Sequence, residues 1–202
     1  MGAPSVAVLD YGSGNLRSAE RALARVGAAV TVTADLDLAA RADGLVVPGV
    51  GAYAACMAGI EAIEAGGMIR DRVAGERPVL GICVGMQVLY ELGDEHGVRT
   101  AGLGLLPGEV TRLAAPVLPH MGWNTVRPPA GSRLFAGLSP RTRFYFVHSY
   151  AAKPQDGDTV AVHGEPFAAA VEHPWLAATQ FHPEKSGDAG ATLLENWLRG
   201  LR

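Results

Sequence analysis

Hydrophobic positions in the first half of the chain fall into two alternating patterns, and these predict strands and helices in turn. Short apolar segments predict strands at 5–9, 29–33 and 44–47. Apolar positions at helical spacing predict helices at 15–26, 52–65 and 68–74. The first helix is followed by Gly27, a residue typical of the position just past a helix end. This strand–helix order predicts a mostly parallel sheet with helices on both faces.

The second half of the chain has a different pattern, in which short apolar segments are separated by turns rich in proline and glycine. Candidate strands lie at 109–113, 124–126, 143–150, 159–163, 167–171 and 176–180. A last amphipathic helix is predicted over 187–201. We expect these strands to extend the same sheet in antiparallel fashion. The predicted fold class is therefore α/β, a mostly parallel central sheet flanked by helices with antiparallel additions in the C-terminal half.

Cys83 stands between two glycines at a predicted junction of strand and helix. The run 78–80 predicts a buried strand, and the run 84–92 predicts a helix that ends at Gly93. Glycines on either side of a nucleophile allow the tight turn of a nucleophile elbow, which lifts the side chain out of the sheet. The helix N-terminus beside it favours a thiolate and any oxyanion formed there. Cys83 is therefore the candidate nucleophile.

A base for this thiol is present in the run Gln180-Phe181-His182-Pro183-Glu184. His182 would take the proton, and Glu184 would hold the imidazole in one tautomer. Proline biases the preceding residue toward an extended conformation, and residues two apart in an extended segment point to the same side. We therefore expect His182 and Glu184 to face one site together. The second cysteine, Cys56, falls in an alanine-rich helical stretch and is expected to be a small buried side chain.

Composition and charge exclude several functional classes. Hydrophobic residues make up 49% of the 202 residues and charged residues 18%, which is a globular composition with enough chain for one domain, 1–202. A formal net charge of −3 gives no reason to expect nucleic acid or an anionic membrane as a partner. Two cysteines make no disulfide framework, so we expect a reducing, cytoplasmic compartment. We expect no signal peptide, no membrane span, no metal ion and no cofactor.

Two long motifs together resemble a known family. They are Gly81-Ile82-Cys83-Val84-Gly85-Met86-Gln87 and Gln180-Phe181-His182-Pro183-Glu184-Lys185-Ser186, and they resemble the class I, triad-type glutamine amidotransferases. Further runs narrow the resemblance: Asp10-Tyr11-Gly12-Ser13-Gly14-Asn15-Leu16, Pro48-Gly49-Val50-Gly51, Gly102-Leu103-Gly104-Leu105-Leu106-Pro107-Gly108, Pro119-His120-Met121-Gly122-Trp123-Asn124 and Tyr145-Phe146-Val147-His148-Ser149-Tyr150. Together they are similar to the glutaminase subunits of imidazole glycerol phosphate synthase. The one departure noted is Val84, where that family more often has leucine.

The resemblance implies a flavodoxin-like fold and a reaction shared between two subunits. As the glutaminase subunit of a lyase complex in histidine biosynthesis, this chain would hydrolyse L-glutamine to glutamate and ammonia through a thioester on Cys83. The ammonia would pass through a tunnel to a (β/α)8-barrel synthase subunit, with which the chain would form a heterodimer. That partner would make imidazole glycerol phosphate and aminoimidazole carboxamide ribotide.

The resemblance also implies roles for residues outside the Cys83–His182–Glu184 triad. Expected oxyanion donors and substrate contacts are Gly49, Val50, Gly51, Val84, Gln87, His148, Ser149 and Tyr150. The loop 48–51 is expected to act as an on/off element for the oxyanion site. Expected partner contacts are Asn15, Pro119, His120, Met121, Trp123 and Lys185, with Lys185 as an ion-pair candidate.

Alternative functions remain open on the sequence. One is another triad glutaminase, such as the glutaminase subunit of pyridoxal phosphate synthase, which typically has a longer glycine run in its oxyanion loop. A second is a catalytically silent binding protein on the same scaffold, against which the intact triad argues. A third is a general cysteine protease, although nothing indicates an extended peptide groove. For Trp123, the sequence leaves open whether it is a core residue or part of a contact surface. For His148–Tyr150, it leaves open whether they contact the substrate or form a buried strand.

Overall fold

The structure, a computed structural model, describes residues 2–201. Numbered in chain order, the strands in this range are β1 Ser5–Leu9, β2 Ala29–Thr33, β3 Gly44–Gly49, β4 Val79–Cys83, β5 Tyr90–Glu95, β6 Val98–Ala101, β7 Leu106–Arg112, β8 His120–Thr125, β9 Arg143–His148, β10 Tyr150–Ala152, β11 Thr159–His163, β12 Glu165–Glu172 and β13 Leu176–Thr179. The α-helices are α1 Leu16–Arg25, α2 Leu36–Arg41, α3 Tyr53–Ala62, α4 Ala65–Ala74, α5 Val84–Gln87 and α6 Gly187–Arg199. None of the helices in this range is both long and apolar enough to cross a membrane.

A seven-stranded sheet in the order β11-β12-β13-β4-β3-β1-β2 forms the centre of the molecule. The strands from β13 to β2 pair in parallel, whereas β12 and β11 join at one edge in antiparallel fashion. Every residue of β3 and β4 is buried, as expected for parallel strands covered by helices on both faces. The predicted fold class is confirmed.

The second half of the chain also builds two separate sheets, which the sequence did not predict. Four strands form a sheet in the order β10-β7-β5-β6, and β8 pairs with β9 alone. Only β11 and β12 extend the central sheet in antiparallel fashion, so the expectation that all the later strands would do so is wrong. The predicted strand 143–150 divides into β9 and β10, and β8 begins four residues earlier than the predicted 124–126.

The predicted helix over 84–92 is also wrong, because α5 ends at Gln87 and the chain continues as strand β5. The residues of β5 pair with β6 across a two-residue turn at His96 and Gly97, and with β7 on the other side, and this strand pairing prevails over the helical pattern of the sequence. Gly93 is therefore not a helix stop. A Cβ at Gly93 would lie 2.6 Å from the ring of Tyr53, so glycine there lets the ring pack against the strand.

Arg72 connects the segment between α2 and β3 to the residue that precedes β4, the strand that carries Cys83. Its buried guanidinium donates hydrogen bonds to the backbone carbonyls of Ala39, Ala40, Ala42, Asp43 and Pro78. Burial lowers the pKa of Arg72 to about 10, so the group stays charged at neutral pH. These bonds satisfy carbonyls at the end of α2, a helix that the sequence analysis did not predict.

Candidate active site

Cys83 lies at the carboxyl end of β4 in the strained backbone conformation of a nucleophile elbow, with φ 57° and ψ −114°. The flanking glycines are required by close approach. A Cβ at Gly85 would overlap the Val47 carbonyl oxygen, and one at Gly81 would lie 2.7 Å from the Gly85 carbonyl oxygen. The elbow predicted from the sequence is therefore present. The helix that follows, α5, is a single turn that begins directly after Cys83, so it has the free N–H groups of a first turn but no long helix dipole.

His182 and Glu184 form a buried pair, with His182 Nδ1 2.7 Å from Glu184 Oε1. His182 itself is extended, but Pro183–Lys185 forms one 3-10 turn, so the expectation of an extended segment holds only for His182. Nδ1 donates to the Glu184 carboxylate, which leaves Nε2 for Cys83. Burial lowers the pKa of His182, but hydrogen bonds to Cys83 and Glu184 outweigh it and raise that pKa to about 9. His182 is therefore protonated at neutral pH, and its imidazolium lies beside the sulfur of Cys83.

Ser186, a residue that the sequence analysis gave no role, fixes the position of the base. Its hydroxyl donates to the His182 carbonyl oxygen over 2.6 Å and accepts from the Tyr145 N–H over 3.0 Å. The His182 N–H donates in turn to the Tyr145 carbonyl oxygen over 2.9 Å. The base is therefore attached to strand β9, which pairs with β8 through Tyr145 and Trp123.

The loop 48–51 lies against Cys83, and Gly49 is the register partner of Cys83 between β3 and β4. The Val50 N–H donates to the Ser13 hydroxyl over 3.3 Å, and that hydroxyl donates to the Val50 carbonyl oxygen over 2.9 Å. While it is bonded to Ser13, the Val50 N–H is not free to donate a hydrogen bond to an oxyanion at Cys83. In this conformation the Val50 donor is therefore engaged elsewhere, while Val84 follows Cys83 directly in the elbow.

Tyr11 and Cys56 support the loop 48–51 from behind. The Tyr11 hydroxyl donates to the Pro48 carbonyl oxygen, and the Cys56 thiol lies 3.4 Å from the Val50 carbonyl oxygen and 3.2 Å from Ser13 Oγ. Burial raises the pKa of both Tyr11 and Cys56, which keeps them neutral. Cys56 is fully buried, as predicted. Tyr11 and Ser13 carried no role from the sequence, because their partners lie 37 residues away.

A cleft of about 680 Å³ opens in front of the nucleophile. The predicted residues that line it are Val50, Gly51, Cys83, Val84, Gln87, Pro119, His148, Ser149, Tyr150, His182 and Lys185. Three charged or polar residues that the sequence analysis missed also line it: Glu95, His96 and Arg112. Gly49 does not line this cleft but supports it, because a Cβ there would lie 2.8 Å from the Val84 carbonyl carbon.

Gln87 is buried at the side of the cleft, where its amide nitrogen donates to the Tyr150 carbonyl oxygen and to Gln180 Oε1, each over 2.9 Å. Gln180 Nε2 lies 3.8 Å from Cys83 Sγ. Gln180 therefore connects the substrate wall to the nucleophile. Gln180 directly follows β13 and stands two residues before His182, and this position in the motif is the signal by which the sequence could have assigned it to the site.

Five of the six expected partner contacts lie on the surface. Met121 is 62% exposed and Trp123 53% exposed, which resolves Trp123 as a surface residue rather than core. Asn15, Pro119 and Lys185 are also exposed. His120 differs, because its side chain points inward from β8 and is 5% exposed. Residues 2–201 hold no group of three or more His, Cys, Asp or Glu side chains arranged for a metal ion.

Comparison with known proteins identifies the family. The model of the glutamine amidotransferase class-I family matches residues 7–201. The chain is 64% identical, over the full length of both, to the imidazole glycerol phosphate synthase subunit HisH of Mycobacterium tuberculosis (strain ATCC 25618 / H37Rv). It is 58% identical to the HisH subunit of Thermobifida fusca, over 98% of this chain and 99% of the relative.

Solved structures agree at the level of the fold. A crystal structure described as a glutamine amidotransferase superposes with a TM-score of 0.75 at 20% identity, covering 97% of this chain and 98% of the other. PurLQS from Thermotoga maritima gives 0.72 at 18% identity, with 99% and 100% covered. The chain belongs to the class-I glutamine amidotransferase family and, within it, to the HisH-type glutaminase subunits of imidazole glycerol phosphate synthase.

Proposed function

We propose that this chain hydrolyses glutamine through a thioester on Cys83 and channels the ammonia to a (β/α)8-barrel synthase subunit. The observation that carries the proposal is the ordered set of Cys83, His182 and Glu184, with the pKa of His182 raised to about 9 at the elbow. The His182 imidazolium beside the Cys83 sulfur is suited to amide cleavage, because its positive charge supports attack by the sulfur and it gives the departing nitrogen a proton donor.

The proposed steps balance in protons and bonds. The Cys83 thiolate attacks the side-chain amide carbon of glutamine and forms a tetrahedral oxyanion. His182 gives its proton to the amide nitrogen, the C–N bond breaks, and ammonia leaves the thioester. His182, now neutral, takes a proton from water as the water attacks the thioester. The C–S bond then breaks, and Cys83 and His182 return to the thiolate–imidazolium pair. Glutamic acid leaves and passes the proton of its new carboxyl group to solvent or to the released ammonia.

The charges of the cleft fit the amino-acid end of glutamine. Glu95 and Arg112 carry opposite charges and both line the cleft that contains Cys83. We assign the α-ammonium of glutamine to the side of Glu95 and the α-carboxylate to the side of Arg112. His148, Ser149 and Tyr150 line the same cleft and are proposed to contact the same end of glutamine.

The proposed docking face is the rim formed by Met121, Trp123, Pro119 and Lys185. Exposed Met and Trp side chains on one strand are typical of the core of a protein interface. Lys185 lies one residue after Glu184 and at the edge of the cleft, so a partner that contacts it would cover the catalytic residues. The relatives named as subunits of imidazole glycerol phosphate synthase support a barrel synthase as the occupant.

Partner binding is proposed to switch on the oxyanion site. The Val50 N–H is held by Ser13 in this structure, and it must turn toward Cys83 before it stabilises an oxyanion. Gly49 and Gly51 flank this peptide, and Gly51 has a φ of +85°, so the loop has the backbone freedom for such a turn. We expect the isolated chain to hydrolyse glutamine slowly and the liganded synthase subunit to raise kcat.

The experiment that tests the chemistry is labelling with a diazo-ketone analogue of glutamine, followed by peptide mass analysis. We expect the label on Cys83 in the wild type and in Cys56→Ala, which serves as the matched control, and no label in Cys83→Ala. Label on Cys56, or glutamate release by Cys83→Ala, would contradict the proposed nucleophile. An unlabelled wild-type protein would favour the catalytically silent alternative.

The partner is tested by mixing the chain with a barrel synthase subunit and measuring glutamate release with and without the ligand of that synthase. Formation of a one-to-one complex and a rise in kcat are expected. If no complex forms and the isolated chain is fully active, the proposed subunit function is wrong.

A further inference from the structure

Three histidine rings lie together between the docking strand β8 and the catalytic cleft. His120 on β8 stacks on His163 with 4.3 Å between ring centroids, and it lies edge-on to His148 at 5.0 Å. His120 Nδ1 and His148 Nε2 are 3.0 Å apart. Phe146 and Phe167 pack against the same rings, so the pair His120–His148 is enclosed by aromatic side chains.

The hydrogen bonds of these rings allow one assignment of their protons. His148 Nδ1 lies 2.9 Å from the Tyr150 carbonyl oxygen, and a carbonyl only accepts, so this nitrogen carries the proton. In a neutral ring His148 Nε2 is then an acceptor, and His120 Nδ1 must donate to it. His120 Nε2 is left as an acceptor and lies 3.3 Å from the amide nitrogen of Asn124.

Burial supports the neutral state that this assignment needs. It lowers the pKa of His120 to about 4 and that of His148 to about 3, and the neighbouring His163 adds to both effects. Both rings are therefore uncharged at neutral pH. The third ring, His163, is outside the chain of bonds, because its Nε2 donates to the Val117 carbonyl oxygen over 2.7 Å.

The chain of bonds ends on the substrate wall. The Tyr150 carbonyl oxygen that accepts from His148 also accepts from Gln87, whose amide reaches Gln180 and, through it, the sulfur of Cys83. Its other end is on β8, where Met121 and Trp123 point outward while His120 points inward. The outer face of β8 therefore belongs to the proposed docking face, and its inner face is connected to the substrate wall.

We propose that His120 and His148 are positioning residues, which hold the Tyr150 carbonyl and thereby Gln87 in place and connect the docking strand to the substrate wall. This inference rests on the proposed function, because the wall it concerns is that of the glutamine cleft. The effect proposed for the two rings is on the position of Gln87 and the Tyr150 carbonyl, through these hydrogen bonds. Movement of β8 on docking would change the same bonds, so the chain gives partner binding a route to the cleft.

The first test is the tautomer of each ring, read by long-range ¹H–¹⁵N correlation NMR of the chain with labelled histidine. The six histidines of the sequence make assignment by single substitution practical. We expect protons on Nδ1 of His120, on Nδ1 of His148 and on Nε2 of His163. An Nε2 proton on His148, or rapid exchange between its tautomers, would overturn the inference.

The second test separates positioning from simple packing. His120→Phe keeps a ring that can stack but removes both nitrogens, and we expect the KM for glutamine to rise about 3- to 10-fold, with kcat changed less than about twofold. His120→Gln keeps one donor and one acceptor and should restore KM to within about twofold of the wild type. The matched control is His163→Phe, which keeps the stacked ring and leaves the bond chain intact, so its KM should not change.

The KM assay uses the chain together with the synthase subunit, and its outcomes separate this inference from the proposed function. Equal KM values for His120→Phe and His163→Phe, in a wild-type complex that hydrolyses glutamine, would overturn this inference and leave the proposed function standing. A wild-type complex that releases no glutamate would overturn both. If the His120→Phe chain does not fold, the tautomers of the wild-type histidines and the KM of His120→Gln decide. An Nε2 proton on His148, or a KM of His120→Gln far from that of the wild type, then overturns the inference.

Discussion

Removal of the Ser13 hydroxyl should make the isolated chain a faster glutaminase. In the structure this hydroxyl makes two hydrogen bonds to the backbone of Val50, because it accepts from the Val50 N–H and donates to the Val50 carbonyl oxygen. Both bonds stabilise the conformation in which the Val50 amide is turned to Ser13. If the active conformation turns that amide toward Cys83, Ser13→Ala removes stabilisation from the resting state alone.

The size of the effect follows from the surroundings of these bonds. A protein hydrogen bond contributes about 0.5–1.5 kcal/mol net. Ser13 is half-buried and Val50 is 40% exposed, so water replaces part of what is lost, and the Cys56 thiol still lies 3.4 Å from the Val50 carbonyl oxygen. We therefore expect a shift of about 1 kcal/mol in the loop equilibrium, which is about a fivefold rise in the basal rate.

The assay is glutamate release by the isolated chain at saturating glutamine, repeated with the liganded synthase subunit. Basal kcat should rise about fivefold in Ser13→Ala, whereas the stimulated kcat should stay near that of the wild type. Ser18→Ala, which removes a hydroxyl from the following helix, is the control. A basal rate equal to that of the control, or lower than the wild type, would refute the resting-state bond as a restraint on catalysis.

Three further predictions concern the base, the fold and the docking face. Glu184→Gln should lower kcat less than loss of His182 does, and it should move the alkaline limb of the kcat–pH profile below its expected place near pH 9, because the carboxylate helps to raise the pKa of His182. An alkaline limb that does not move in Glu184→Gln would contradict this role of Glu184. By linkage, the raised pKa of His182 stabilises the fold fully below about pH 6.5, and this contribution is lost as the pH rises through about 9. Arg72→Met should lower the free energy of unfolding by about 3 kcal/mol in urea denaturation, because several carbonyls lose their donor. The control is the exposed Arg70→Met, and an equal loss of unfolding free energy in the two variants would show that water replaces the Arg72 guanidinium. Lys185→Ala should weaken synthase binding by more than about fivefold in a calorimetric titration, more than a screened surface charge contributes, and a smaller effect would return Lys185 to the ordinary surface.

Local rules of the chain were enough to predict the catalytic centre. Glycines on both sides of Cys83 are a steric requirement of the elbow, and the structure has the elbow where they predict it. The His182–Glu184 pair is two residues apart, so its contact was predictable as well, although the turn that makes it is 3-10. The strands β1, β3 and β4 were also predictable, because their short apolar runs are typical of buried strands, whereas β2 lies at the edge of the sheet with no fully buried residue.

Contacts between distant parts of the chain decided the rest. The segment after Gln87 has helical periodicity but pairs as β5, because strands β6 and β7 offer it hydrogen bonds and Tyr53 packs over Gly93. Likewise, the motif at 119–124 does not reveal that Met121 and Trp123 point outward while His120 points inward toward a second histidine 28 residues away. Sequence alone determined the elbow at Cys83 and the His182–Glu184 pair, since their geometry is set by near neighbours. Tertiary structure decided what restrains and positions them, because a hydrogen bond from Ser13 to Val50, or from Gln87 to Tyr150, exists only once the sheet has brought the partners together.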